Sequence, residues 1–188
     1  NRAQLANRFF VDGDPAALLM LEVRADSESV LEKQLSSLLS TINASGLSYA
    51  NPILKETDIN KAVELRKAGL GLLGNMVGDR KAVACIEDTA VAVDDLKDFI
   101  GEFTEIMKGY GQDAVYYAHA GAGELHLRPI LNLKKSTDVS LFRSITTDVA
   151  KLTKKYRGSF SGEHGDGIVR AEFIPLMIGD KNYELLKR

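Results

Sequence analysis

The stretch AVYYAHAGAGELHLRPILNL, residues 114–133, decides how this chain is read. Its first seven residues are apolar, aromatic or β-branched and read as a strand that delivers His119 at its exit. From 124 to 133 the pattern alternates, with Leu125, Leu127 and Ile130 set against Glu124, His126 and Arg128, so His126 and Arg128 share one face of a second strand. Pro129 has no N–H for a ladder, which predicts an edge strand or a bulge there. His119 and His126 would lie on opposite faces of one continuous strand. They converge only if Gly121 and Gly123 let the backbone fold back.

A second glycine-rich stretch, SGEHGDG at 161–167, carries Glu163 and His164, so two short segments hold all three histidines of the chain. Two imidazoles and one carboxylate with an open position suit Zn²⁺, Mn²⁺ or Fe²⁺ acting as a Lewis acid, and leave one imidazole for proton transfer. The spacing matches no specific metal motif. Glycine turns whose histidines are satisfied by backbone hydrogen bonds account for the same residues.

Working outward, the run at 16–23, introduced by Asp14 and Pro15, reads as a buried strand, and a further strand is expected at 49–54. Between them, Val30, Leu31, Leu35, Leu38, Leu39 and Ile42 recur with a helical period, with Ser27 as N-cap and Gly46 just past the end. A second helix starts at Asp58, and Gly69, Gly71 and Gly74 predict that it ends in a turn or a close approach. The pattern then recurs, with a strand at 81–87, a helix at 94–111 and the two strands already described, followed by a helix at about 137–156. Paired βαβ units followed by a further strand and helix predict an α+β fold of ferredoxin-like type, a largely antiparallel sheet with helices packed on one face.

Composition narrows the function classes. A net charge of −2, a pI near 6.0 and dispersed basic residues give no electrostatic footprint for nucleic acid. Cys85 is the single cysteine, so the chain alone builds no disulfide, thiolate zinc site or iron–sulfur cluster, and its apolar setting reads as a small buried hydrophobe. No run approaches the roughly 18 apolar residues of a membrane span. No charged-then-apolar leader opens the chain, which is read as cytoplasmic and reduced. The chain opens on Asn1 and stops at Arg188 inside the periodic KNYELLKR without a helix-stop signal, so a fragment of a longer polypeptide is expected.

HAGAGELH at 119–126 resembles the HAGDGNLH signature, and SGEHGDG with Arg170 resembles SGEHGIG followed by a basic residue. Both signatures are those of the C-terminal substrate domain of FAD-linked oxidases in the vanillyl-alcohol oxidase superfamily. Within it the 2-hydroxy-acid dehydrogenase branch is most similar, covering glycolate oxidase, D-lactate dehydrogenase and D-2-hydroxyglutarate dehydrogenase. The resemblance covers most of the chain, since ELRKAGLGLLGNM (64–76) and ACIEDTAVAVDDL (84–96) look like that family's intervening segments. The wording of 116–131 and 154–167 is most similar to large fused proteins carrying an FAD domain, this substrate domain and a C-terminal iron–sulfur domain.

The resemblance implies that residues 1–188 are one substrate domain. His119, His126 and Glu163 would bind the divalent metal, His164 would be the base, and Arg66 would bind the substrate carboxylate. A guanidinium fork suits a carboxylate, although Arg66 also reads as part of a solvated helix face. It further implies a small 2-hydroxy acid as substrate, with the α-carbon hydride passing to FAD and the hydroxyl proton to His164. The FAD-binding domain would be the partner on the same polypeptide, and any iron–sulfur cluster would sit on a further domain. No phosphate-cradling glycine loop is identifiable, and HAGAG is no dinucleotide fingerprint because it opens no helix.

Three departures separate the chain from that pattern: Ala122 and Glu124 replace an aspartate and an asparagine, Arg128 stands where hydroxyglutarate-type members have a substrate-contacting asparagine, and Ile86 stands where they have a lysine. These place an anchor for a second carboxylate at Arg128. Two other classes compete: a ferredoxin-like regulatory or docking module whose histidines bind no metal, and an autonomous metal hydrolase.

Overall fold

The computed structural model describes residues 2–188. It divides into two compact units, the break falling between Leu72 and Leu73.

The first unit is helical. After a 3-10 turn at Arg2–Arg8, helix α1 spans Glu28–Ser45 and α2 spans Thr57–Gly74. The α1 caps are those the sequence predicts: Ser27 Oγ accepts the Val30 N–H, and Gly46 closes the helix in the left-handed region, its N–H donating to Asn43 O. Helix α2 runs through all three of its glycines, and a methyl group placed on Gly69, Gly71 or Gly74 meets no described atom within 4 Å. The turn expected at this end comes directly after Gly74, at Asn75, where the Met76 N–H donates to Leu73 O at 3.4 Å.

The strands expected at 16–23 and 49–54 are not formed. Leu18, Leu19, Met20 and Leu21 are exposed, and no backbone hydrogen bond joins either segment to a described residue. Apolar and β-branched composition favours an extended chain, but a strand exists only where another edge takes its N–H and C=O groups. Tyr49 uses its hydroxyl instead, donating to Asp12 O at 2.7 Å.

The second unit holds the sheet and the core. Strands β1 (Lys81–Ala82) and β2 (Ile86–Ala90) lead to helix α3 (Leu96–Gly109), then to the hairpin β3 (Ala114–His119) and β4 (Glu124–Leu131), and to helix α4 (Ser136–Lys155). Short helices α5 (Gly167–Arg170), α6 (Ile174–Ile178) and α7 (Asp180–Leu186) follow. Strand β4 pairs antiparallel with β3 on one side and with β1 and β2 on the other. Ser159 bridges Ala90 on the far side of β2 through two hydrogen bonds of 2.9 and 2.8 Å. The order Ser159, β2, β4, β3 is the split βαβ arrangement of a ferredoxin-like fold, its fourth strand shrunk to one bridge. The α+β class expected from the sequence is thus present, built by residues 81–159 without the first βαβ unit that the pattern suggested.

Phe99, Phe103 and Met107 on α3, and Ile145, Val149 and Leu152 on α4, pack against Ile86, Leu125, Leu127 and Leu131 of the sheet. Helical spacing on one layer and strand alternation on the other meet in one core, so both helices cover the same sheet face. Each of these side chains contributes about 1.5–3 kcal/mol by leaving water.

Pro129 lies in the central strand, not at an edge. Its carbonyl accepts the Val83 N–H, so its nitrogen faces the same side, where the ladder breaks between Ala82 and Ile86 and no donor is required. Gly123 closes the hairpin at φ +72°, and its carbonyl accepts the Val91 N–H at 2.9 Å. A Cβ there would run into the Val91 carbonyl as well as adopting a left-handed backbone.

Gly123→Ala should therefore destabilise the second unit by about 2–3 kcal/mol in denaturant unfolding, whereas Gly121→Ala, with open space around its Cβ, should have a much smaller effect. Cys85 is fully buried, and burial pushes its thiol up to about 11 against a hydrogen bond with Thr146. A maleimide at pH 8 should leave the native protein unlabelled and label it stoichiometrically in denaturant; rapid native labelling would contradict the buried position.

Candidate active site

The sheet face turned away from α3 and α4 carries the polar residues. Cross-strand register sets Glu87 and Tyr117 opposite His126, His119 opposite Glu124, and Val115 opposite Arg128. Opposed residues point to the same side of a sheet, so Glu124, His126 and Arg128 of β4 meet Tyr117 and His119 of β3 and Glu87 of β2. Between Glu87 and Thr89 the register slips by one residue, and Asp88 sits in the slip at φ +79°. This bulge inserts a second, fully buried acid beside Glu87.

Asp88 organises the SGEHGDG loop. Its carboxylate accepts Ser161 Oγ at 2.6 Å and the backbone N–H groups of Glu163 and His164 at 2.8 and 3.0 Å, while its carbonyl accepts the Gly162 N–H at 2.7 Å. Burial alone would raise the Asp88 carboxyl, but these hydrogen bonds hold it well below the usual carboxylate range. Arg170, buried on α5, locks the loop from the other side: it lies 3.4 Å from Asp88 Oδ2, donates to Gly165 O at 2.6 Å and Phe160 O at 3.0 Å, and also donates to Glu87 O.

The loop brings Glu163 Oε1 to 3.7 Å from His119 Nε2 and 3.9 Å from His126 Nε2. One ligand atom from each of the three residues lies within 4.8 Å of the others. These separations exceed a hydrogen bond and approach the ~3.4 Å between two ligands that share a tetrahedral ion at about 2.1 Å. His164 Nε2 stands 3.2 Å from the same carboxylate oxygen, and its ring stacks on His126 with centroids 5.5 Å apart. His126 is buried, with Tyr117, His119 and His164 rings around it.

Two buried atoms in this cluster have no hydrogen-bond partner, His126 Nδ1 and Glu124 Oε1. Burial pushes the His126 imidazole below its ordinary value, with Glu87 opposing. Burial, then Asp88 and Glu163, push the Glu124 carboxyl up to about 7. A histidine whose charged form is disfavoured, beside two carboxylates, Glu124 and Glu163, that pair with histidines and with no described Arg or Lys, makes surroundings in which a divalent cation is accommodated, so the donor set fits one. Asp88, Glu163 and His164 also lie within ligand distance of one another. The Asp88 oxygens are already taken by the loop, which makes that group a clamp.

Of the residues singled out from the sequence, His119, His126, Glu163 and His164 come together. Arg128 shares their face but is ion-paired with Glu87 Oε2 at 2.5 Å, both side chains largely buried. Arg66 lies on α2 in the first unit, half-buried. Sequence reasoning missed Glu87, Asp88 and Tyr117. Tyr117 was available from alternation, two residues before His119; the two acids were not, because only the bulge puts neighbours on one side.

A ferredoxin-like α+β domain with two histidines and a glutamate converging beside a third histidine is the class of protein that fold and site define. The chain belongs to the family of FAD linked oxidases, C-terminal domain, whose model matches residues 2–188. It is 30% identical over 183 residues to D-2-hydroxyglutarate dehydrogenase of Escherichia coli (strain K12), covering 94% of this chain and 18% of that protein. The D-2-hydroxyglutarate dehydrogenase of Pseudomonas putida is 38% identical over 130 residues, 69% of this chain and 13% of that protein. The chain thus spans less than a fifth of the length of these curated relatives.

Arg170→Met should cost about 3–5 kcal/mol in unfolding free energy, because it leaves Asp88 buried without its cation. Arg143→Met, which breaks an exposed pair with Glu172, should cost under about 1 kcal/mol; equal effects would show that Arg170 is not the clamp.

Proposed function

We propose that this chain is the substrate- and metal-binding domain of a flavin-dependent 2-hydroxy-acid dehydrogenase. FAD, and any iron–sulfur cluster, would be held on other domains of the same polypeptide, in the cytoplasm. The observation that carries this reading is the convergence of His119, His126 and Glu163 at ligand spacing beside His164. Family membership and the D-2-hydroxyglutarate dehydrogenase relatives support it.

His119, His126 and Glu163 would hold a divalent ion, Zn²⁺, Mn²⁺ or Fe²⁺, which when bound supplies Lewis-acid polarisation of the substrate hydroxyl. With the flavin, when bound, supplying the acceptor for the α-carbon hydride, His164 would take the hydroxyl proton at a ring nitrogen. Its backbone N–H is pinned by Asp88 and its Nε2 lies beside Glu163, while half of its side chain stays exposed, as a group that meets substrate must. Arg66 would bind the substrate carboxylate, and Arg128, on the face of His126, would be the anchor for a second acidic group of the substrate.

Full-length protein tests this. Wild type should contain about one equivalent of divalent metal per chain and reduce its flavin with a 2-hydroxy acid. His126→Ala should lose the metal, and His164→Gln should keep metal and flavin but lose about 10²–10⁴-fold in kcat. Wild type without metal and without flavin reduction would overturn the reading in favour of a docking module; ester or amide hydrolysis by the metal-loaded chain alone would favour the hydrolase.

A further inference from the structure

Glu87 has no assigned role in binding or proton transfer so far, yet it faces the most buried histidine of the site. It is the cross-strand partner of His126, its side chain is only 12% exposed, and its Oε1 stands 3.6 Å from His126 Nδ1. That nitrogen is buried without a hydrogen-bond partner. The opposite ring nitrogen, Nε2, is the one turned toward Glu163. A neutral imidazole that offers the Nε2 lone pair to a cation carries its proton on Nδ1, and a buried N–H needs an acceptor. Moving Oε1 by about 0.6 Å brings it within N–H···O distance. The other oxygen of Glu87 is held by Arg128 at 2.5 Å, and Arg170 anchors the Glu87 carbonyl, so the carboxylate is fixed at both its head and its backbone.

We propose that Glu87 is the positioning residue of His126: it accepts the Nδ1–H, selects the tautomer that presents Nε2 to the metal, and is itself held by Arg128. The inference rests on the proposed reading in taking His126 as a ligand, and it assigns Arg128 a structural task in addition to any contact with substrate. The charges of Glu87 and Arg128 cancel locally, so the pair orients the imidazole without adding net charge to the site. Glu87 acts through His126 and touches no reacting atom.

The test is Zn²⁺ affinity of the full-length protein, measured by competition with a chromophoric chelator, for wild type, Glu87→Gln and Glu87→Ala. Removing a carboxylate that orients a histidine ligand weakens metal binding about 10- to 100-fold, which is the loss expected for Glu87→Ala. Glu87→Gln keeps a neutral acceptor of the same shape and should fall between the two, and because it also removes the charge paired with the largely buried Arg128 its metal-free form should unfold at a lower temperature. A Glu87→Ala affinity within about twofold of wild type, or a Glu87→Gln affinity no better than that of Glu87→Ala, overturns the inference, since a hydrogen bond to a ligand shifts affinity well beyond twofold and the glutamine restores the acceptor. Wild type that binds no Zn²⁺ overturns the metal reading itself, a result distinguishable from tight wild-type binding that is indifferent to Glu87.

Discussion

A buried carboxylate, Asp88, is the group on which the site depends. Taken out of water, it is tolerable only because a serine hydroxyl, two backbone N–H groups and the Arg170 guanidinium surround it. Three of those donors belong to the loop that carries Glu163 and His164. Satisfying Asp88 and placing the two functional side chains are therefore one event: any loop conformation that moved Glu163 away from the histidines would strip the acid of its partners. Gly162 lets the loop run close against the bulge, since a Cβ there would meet Asp88 and Ala90 atoms at 3.3–3.4 Å.

The sheet divides labour between its faces. Toward the helices, Ile86, Leu125, Leu127 and Leu131 are packed into the core and hold the strands rigid. On the other face the same strands offer His126, Glu124, Glu87 and Arg128, which are set by register and not by side-chain flexibility. Rigid placement allows an imidazole to be left with an unsatisfied nitrogen. In a mobile loop such a group would turn toward water, whereas in a central strand His126 Nδ1 stays facing Glu87 Oε1 at 3.6 Å and Nε2 stays turned toward Glu163. The Asp88 bulge gives this face more acid than strict alternation permits, and Arg128 and Arg170 supply the compensating charge.

Much of this was legible in residues 114–133 and 161–167. Alternation assigned His126 and Arg128 to one face, the paired glycines signalled the fold-back that brings His119 round, and the caps of α1 were readable at Ser27 and Gly46. Local rules failed at 16–23 and 49–54, where composition favoured strands but no backbone hydrogen bond pairs either segment with a described residue. Pro129, read as marking an edge strand or a bulge, sits in the central strand and not at an edge, opposite a ladder irregularity between Ala82 and Ile86 that removes the need for its N–H.

Residue type and spacing thus singled out the histidines and the glutamate of the candidate site and gave the α+β character of the fold, because periodicity, glycine conformation and the donor atoms of histidine and glutamate are local properties. The meeting of Glu163 with His119 and His126, the pairing of Arg128 with Glu87 and the burial of Asp88 belong to the folded protein, since each depends on register and a bulge between segments far apart in the chain. Register is a contest among all possible pairings for the same backbone donors and acceptors, and only the packed core resolves it.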